Sequence, residues 1–248
     1  MERNVNFPVA DVSDIIIHLA WPQLEIYADD VDQIQVIASG DAHTVNDLRI
    51  EGKDGELFIE QPQYGISLDI THGHWMQLCV RVPRDWDQTI HATTISGLLV
   101  ARGLGGARIV LETVTGDLKA AKITAGEVSL RTTAGAIHGD QLMSQRLTGR
   151  SVSGDIALDN VSAQTYRFTS ISGDIRLKLQ AGFEQMDLRT VSGDMSILTD
   201  ADVLHVSMRS VSGHKTVEGV KLTENADAPV VRATGVSGDL KIIGTRKS

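Results

Sequence analysis

The chain has 248 residues, 42% of them hydrophobic, and a formal charge of −9 from 23 Lys and Arg against 32 Asp and Glu. That acidic balance argues against general nucleic-acid binding, which needs a basic field to meet phosphates. The single cysteine, Cys79, excludes an intrachain disulfide. The longest apolar run, residues 15–21, is far too short to cross a bilayer as a helix.

Met1-Glu2-Arg3-Asn4-Val5-Asn6 shows no basic segment followed by an apolar run, so no signal peptide is visible. A cytoplasmic place, or one peripheral to the cell envelope, is the expectation. Residues 1–90 hold 5 Lys or Arg against 16 Asp or Glu, whereas residues 91–248 hold 18 against 16. The acidic segment alternates apolar and polar residues, and strands are expected at 13–20, 24–28, 32–38, 47–51, 56–60, 66–71 and 76–82. Residues 47–60 read as a hairpin, with Leu48 and Ile50 opposite Leu57 and Ile59 across Asp54-Gly55. Ser39-Gly40-Asp41 reads as a turn. Residues 1–90 are thus either a small β domain or irregular early coils that cap the rest of the chain. No Pro-, Gly- and Ser-rich linker separates the two parts, which favours the cap.

From residue 91 a phrase recurs. It reads Thr-Ile-Ser-Gly at 94–97, Thr-Val-Thr-Gly-Asp at 113–117 and Ser-Val-Ser-Gly-Asp at 151–155. Its glycines are Gly97, Gly116, Gly135, Gly154, Gly173, Gly193, Gly213 and Gly238, at steps of 19, 19, 19, 19, 20, 20 and 25 residues. Such a period marks a solenoid whose repeats bury their apolar sides only by stacking. An apolar pair spaced by two precedes most of the phrases, as in Tyr166/Phe168, and another follows most of them, as in Ile175/Leu177. Each pair lies on one face of a strand. Residues 91–248 are therefore expected to form an all-β, single-stranded parallel β-helix with 19–20 residues per coil. The Val or Ile two positions before each glycine is expected to pack at the corner, and the glycine to supply unusual backbone angles there.

The repeated Val-Ser-Gly-Asp-Ile phrase, preceded by a strand ending in Val80-Arg81-Val82-Pro83, resembles the bacterial "putative adhesin" family of β-helical proteins. The resemblance covers nearly the whole chain. It implies the fold and implies no catalytic residues.

Two columns are candidate binding surfaces. Asp155, Asp174 and Asp194, with Asp117 and Asp239, come directly after the motif glycine and would stand about one rung apart. Calcium favours clustered oxygens of this kind. The favoured alternative is a set of corner residues bonding local backbone amides, because Ala136 and His214 interrupt the column. Arg131, Arg150, Arg189 and Arg209 stand four positions before their glycines and could meet an anionic polymer or an acidic partner. Solvated side chains are the blander reading of the same column.

Three further features carry less. His72-Gly73-His74 lacks partners at metal spacing. Cys79, in an apolar strand, reads as a buried inert thiol. Ten aromatic residues, only three of them after residue 90, leave no stacking platform for glycans on the repeat. No cofactor, metal or catalytic residue is assigned. The expected function is a non-enzymatic scaffold or adhesin-like binding protein. Its partner would be a protein, an envelope polymer or a second copy, and not a nucleic acid. The alternative is a polysaccharide-active enzyme resembling pectate lyases, with aspartates on one flank.

Overall fold

The computed structural model describes residues 1–20, 22–61, 75–180, 182–225 and 227–245. The expected strand at 66–71 and the His72-Gly73-His74 motif lie outside these residues. The chain is all-β and solenoid-like, and its sheet does not close into a barrel.

The strand before each motif glycine and the strand after it enter two separate parallel ladders. In the first, residues 89–94, 108–113, 127–132, 146–150, 165–170 and 185–190 stack in turn. In the second, residues 99–102, 118–121, 137–140, 156–158, 175–178 and 195–198 do the same. A short third ladder runs through 105–106, 124–125, 143–144 and 162–163. Alternation sends Ile109, Leu111, Val128, Leu130, Leu147, Tyr166 and Phe168 inward, where each is at most 1% exposed. Burying one such side chain contributes roughly 1.5–3 kcal/mol. Gly149 accommodates the largest of them, since a Cβ there would lie 2.4 Å from the Phe168 ring.

The order of coils in space departs from their order in the chain at both ends. Residues 230–234 lie between 185–189 and 205–209, and residues 240–244 lie between 195–199 and 215–218. The last stretch of chain thus threads inside the coil that precedes it. At the other end, residues 14–19 lie between 56–60 and 89–94, and residues 24–27 lie between 78–81 and 99–102. Strands 33–40 and 2–8 then add antiparallel outside 76–83. Antiparallel additions of this kind end a parallel stack without leaving the same edge open.

The hairpin forms with a different register. Ile50 faces Ile59 as expected, but Leu57 faces Gly52. Leu48 belongs instead to the end of a short helix, Ala42–Asp47, which the alternating pattern did not reveal. Asp41 caps that helix, its Oδ1 accepting from the Thr44 amide at 2.9 Å.

One corner expectation needs correction and the other an addition. Val152, Ile171, Val191 and their equivalents do not pack; they are exposed. The motif glycine is required by contact at least as much as by backbone angle. A Cβ on Gly154 would sit 1.8 Å from the Gly135 carbonyl oxygen, and one on Gly173 would sit 2.3 Å from that of Gly154. Gly97, Gly135, Gly193 and Gly238 do adopt the expected positive φ, between 101° and 155°, and a second corner is left-handed at Gly103, Lys122, Gln141 and Asn160, with φ of 67°, 54°, 56° and 54°.

Candidate binding surface

The aspartate column is a backbone-capping ladder. Asp155 Oδ1 accepts from the Asp174 amide at 3.0 Å, Asp174 Oδ1 from the Asp194 amide at 2.9 Å, and Asp194 Oδ1 from the Asp239 amide at 2.9 Å. Asp239 Oδ1 accepts from the His214 amide at 2.8 Å, and Asp117 Oδ1 from the Ala136 amide at 2.9 Å. His214 stands on the outermost coil, where no further amide has to be met. The Asp174 amide, then the Arg176 guanidinium, hold the Asp155 carboxyl below the usual carboxylate range. Arg176 reaches Oδ2 of both Asp155 and Asp174. One oxygen of each of these aspartates thus accepts from a backbone amide, and both oxygens of Asp155 and Asp174 are bonded. Among the described residues no three His, Cys, Asp or Glu side chains are placed to hold a metal ion.

The arginine column lies on the outer surface of the first ladder. Arg131 and Arg150 are neighbours, but Thr169 separates Arg150 from Arg189, and Thr234 separates Arg189 from Arg209. What the spacing did not bring out is that the basic surface is two-dimensional. Arg146 lies on the same strand as Arg150, and Arg167 lies one rung on, in the column between them. From residue 108 onward the outward positions of this ladder carry eight arginines, no lysine and three acids. Each acid pairs with an arginine: Glu112 with Arg131 at 3.1 Å, Glu127 with Arg108 at 3.6 Å, and Asp187 with Arg232 at 3.8 Å. Arg146, Arg150, Arg167, Arg189 and Arg209 have no ion pair among the described residues.

Beside this surface runs a feature the sequence pattern did not disclose. Ile95, Val114, Val152, Ile171, Val191, Val236 and Val211 stand in one column, between 38% and 85% exposed. Backbone bonds hold it together: the Ser172 amide donates to the Val152 carbonyl, Ser192 to Ile171, Ser237 to Val191 and Ser212 to Val236, all at 2.8–2.9 Å. The signal was present as the β-branched residue two places before each glycine. Alternation continues through buried Ser151, and this places Arg150 and Val152 on the same side.

Cys79 also differs from expectation. It is half-buried rather than in the core, on the outer side of its strand beside Arg81 and Tyr27. Burial, and then Cys79, raise the Tyr27 phenol. His91 packs edge-on against His18 at 6.0 Å, and burial lowers its pKa.

A stacked all-β scaffold, with its candidate surface on an outer sheet face, defines the class: a solenoid-like repeat protein. The chain belongs to the Toastrack DUF4097 family, which matches residues 12–243. Solved structures share its fold. A protein of Parabacteroides distasonis described as a "putative adhesin" is 15% identical, with 97% of each chain covered and a TM-score of 0.64. Another so described, from Parabacteroides merdae, is 11% identical over 98% of this chain and 95% of that one, also with a TM-score of 0.64. A third, from P. distasonis, is described as a "putative lipid binding protein"; it is 13% identical over 97% and 96%, with a TM-score of 0.58. No curated protein matches the chain significantly. No helix among the described residues is long and apolar enough to cross a membrane.

Proposed function

We propose that this chain is a non-enzymatic, adhesin-like binding scaffold associated with the cell envelope. In this reading the stack is a single-stranded parallel β-helix of 19–20-residue coils. Residues 91–248 form the repeat and residues 1–90 its cap or early coils. The observation that carries the proposal is the unpaired arginine array on one sheet face, where arginine and threonine alternate from rung to rung along the column of Arg150, Arg189 and Arg209. An extended or planar partner could engage several rungs at once. The descriptions of the fold relatives as adhesins and as a lipid-binding protein point the same way. The capping ladder of Asp155, Asp174 and Asp194 weighs against the polysaccharide-active alternative, because those carboxylates bond amides and Arg176.

The test offers the full chain a panel of anionic and neutral envelope polymers and vesicles, monitoring both retention and polymer length. Retention that weakens as salt rises, with polymer length unchanged, is the expected result. Cleavage that disappears in Asp174→Ala would overturn the proposal in favour of the enzyme.

A further inference from the structure

The structure points to one partner in particular. We infer that the outer face of the first ladder docks on an anionic phospholipid bilayer, the arginines meeting lipid phosphates while the exposed Val and Ile column enters the headgroup region. This deepens the binding reading above and rests on it.

Three observations carry the inference. First, the cations are all arginine. Arg146, Arg150, Arg167, Arg189 and Arg209 lie within five successive rungs of one sheet face, without an ion pair among the described residues, and the acid among them, Asp187, pairs with Arg232. A guanidinium offers a planar fork that matches phosphate oxygens two at a time and is less strongly hydrated than an ammonium. Second, the apolar column borders that charge in register. Val152 stands two residues after Arg150, and Val191 two residues after Arg189, so cation and apolar tip share an outer surface about 7 Å apart. A soluble polyanion would use the arginines and leave the Val and Ile tips in water. A bilayer interface uses both. Third, the shape suits a surface and not a groove. The column, with Thr133 between Val114 and Val152, tracks the outer corner of eight rungs, about 34 Å at roughly 4.8 Å each. Its corner carbonyls already accept from the next rung, so no strand can add there.

The contact is confined to part of the stack. Toward the N-terminal end the same ladder presents Asp14, Glu56 and Glu60, which an anionic surface repels. Docking is therefore centred on the coils from residue 127 onward, with the acidic end tilted away.

The full chain is sedimented with vesicles of phosphatidylcholine alone, or with about a third phosphatidylglycerol, at low and high salt. Binding to the anionic vesicles only, weakening with salt, is expected. The variant Arg146→Gln/Arg150→Gln/Arg167→Gln/Arg189→Gln is expected to lose roughly tenfold or more in binding. The variant Val152→Ser/Ile171→Ser/Val191→Ser is expected to lose about fivefold or more, because its apolar tips no longer leave water. Lys119→Gln/Lys241→Gln, on the second ladder, is expected to bind as the parent does. If the serine variant melts early, Ile171→Thr/Val191→Thr keeps the β-branches and replaces it.

Absence of binding to anionic vesicles overturns the inference. So does loss in the arginine variant with none in the apolar variants, which describes a soluble polyanion. Salt-sensitive retention on another envelope component, or self-association broken by the apolar variants, without vesicle binding, also overturns it while leaving the binding scaffold standing.

Discussion

The motif glycines act by letting backbones approach. Gly154→Ala places a methyl group against the Gly135 carbonyl, which cannot swing aside as a side-chain tip would. A loss of about 2–3 kcal/mol, read by chemical denaturation, is expected. The second corner behaves oppositely. Gln141 is exposed yet left-handed, at φ 56°. Gln141→Gly relieves that strain and should gain about 0.5–1 kcal/mol in the same assay. Buried Tyr166 accepts from the Ala163 amide at 2.7 Å and donates to the Val161 carbonyl at 3.3 Å. Burial raises its phenol further, so it stays neutral. Tyr166→Phe leaves that amide unmet and should cost about 1–3 kcal/mol. His91 sets a pH dependence. Its folded pKa is lowered, chiefly by burial, so below about 6.5 the unfolded chain takes up the proton first. Stability should be full above that pH and decline as pH falls toward the folded pKa. Thermal melts of His91→Asn should lack this part of the decline. At this scale the sequence was only partly legible. The glycine period was plain, but Lys122, Gln141 and Asn160 share a backbone conformation without sharing a side-chain type, so their corner left no comparable pattern.

At the scale of elements, period and alternation identified the strands of the repeat because each coil buries the same inward positions. They could not tell which coil neighbours which. A rung at residues 205–209 can pair with 185–189 or with 230–234, since both present the same register of buried and exposed positions. The structure interposes 230–234, and the long step from Gly213 to Gly238 was the one hint of extra connecting chain. The consequence is measurable by amide exchange. Strand 203–209 has only part of its inward side buried, whereas Val231, Ala233, Leu240 and Ile242 are covered on both sides. Residues 203–218 should therefore exchange faster than residues 230–244, although the latter come later in the chain. Faster exchange in 230–244 would contradict the threaded order. The short helix at 42–47 left no clear signal because Asp41 is equally at home in a turn and at a helix N-cap.

For the whole molecule, composition pointed away from general nucleic-acid binding, since the net charge is −9. The acidic excess belongs to residues 1–90, whereas on one face of the repeat winding gathers arginines from several coils. One-dimensional charge counts average over faces that the fold keeps apart. The arginine column was legible as a spacing; its extension through Arg146 and Arg167, and the apolar column beside it, needed the register of the ladder. The central claim is that this outer face, and not a pocket, is where the protein works. The most direct test replaces Cys79 by Ser and attaches an environment-sensitive fluorophore at Ile171→Cys on the apolar column or, separately, at Lys119→Cys on the second ladder. Anionic vesicles should shift the emission at 171 to the blue and leave that at 119 unchanged. No shift at 171, or equal shifts at both, would contradict the claim.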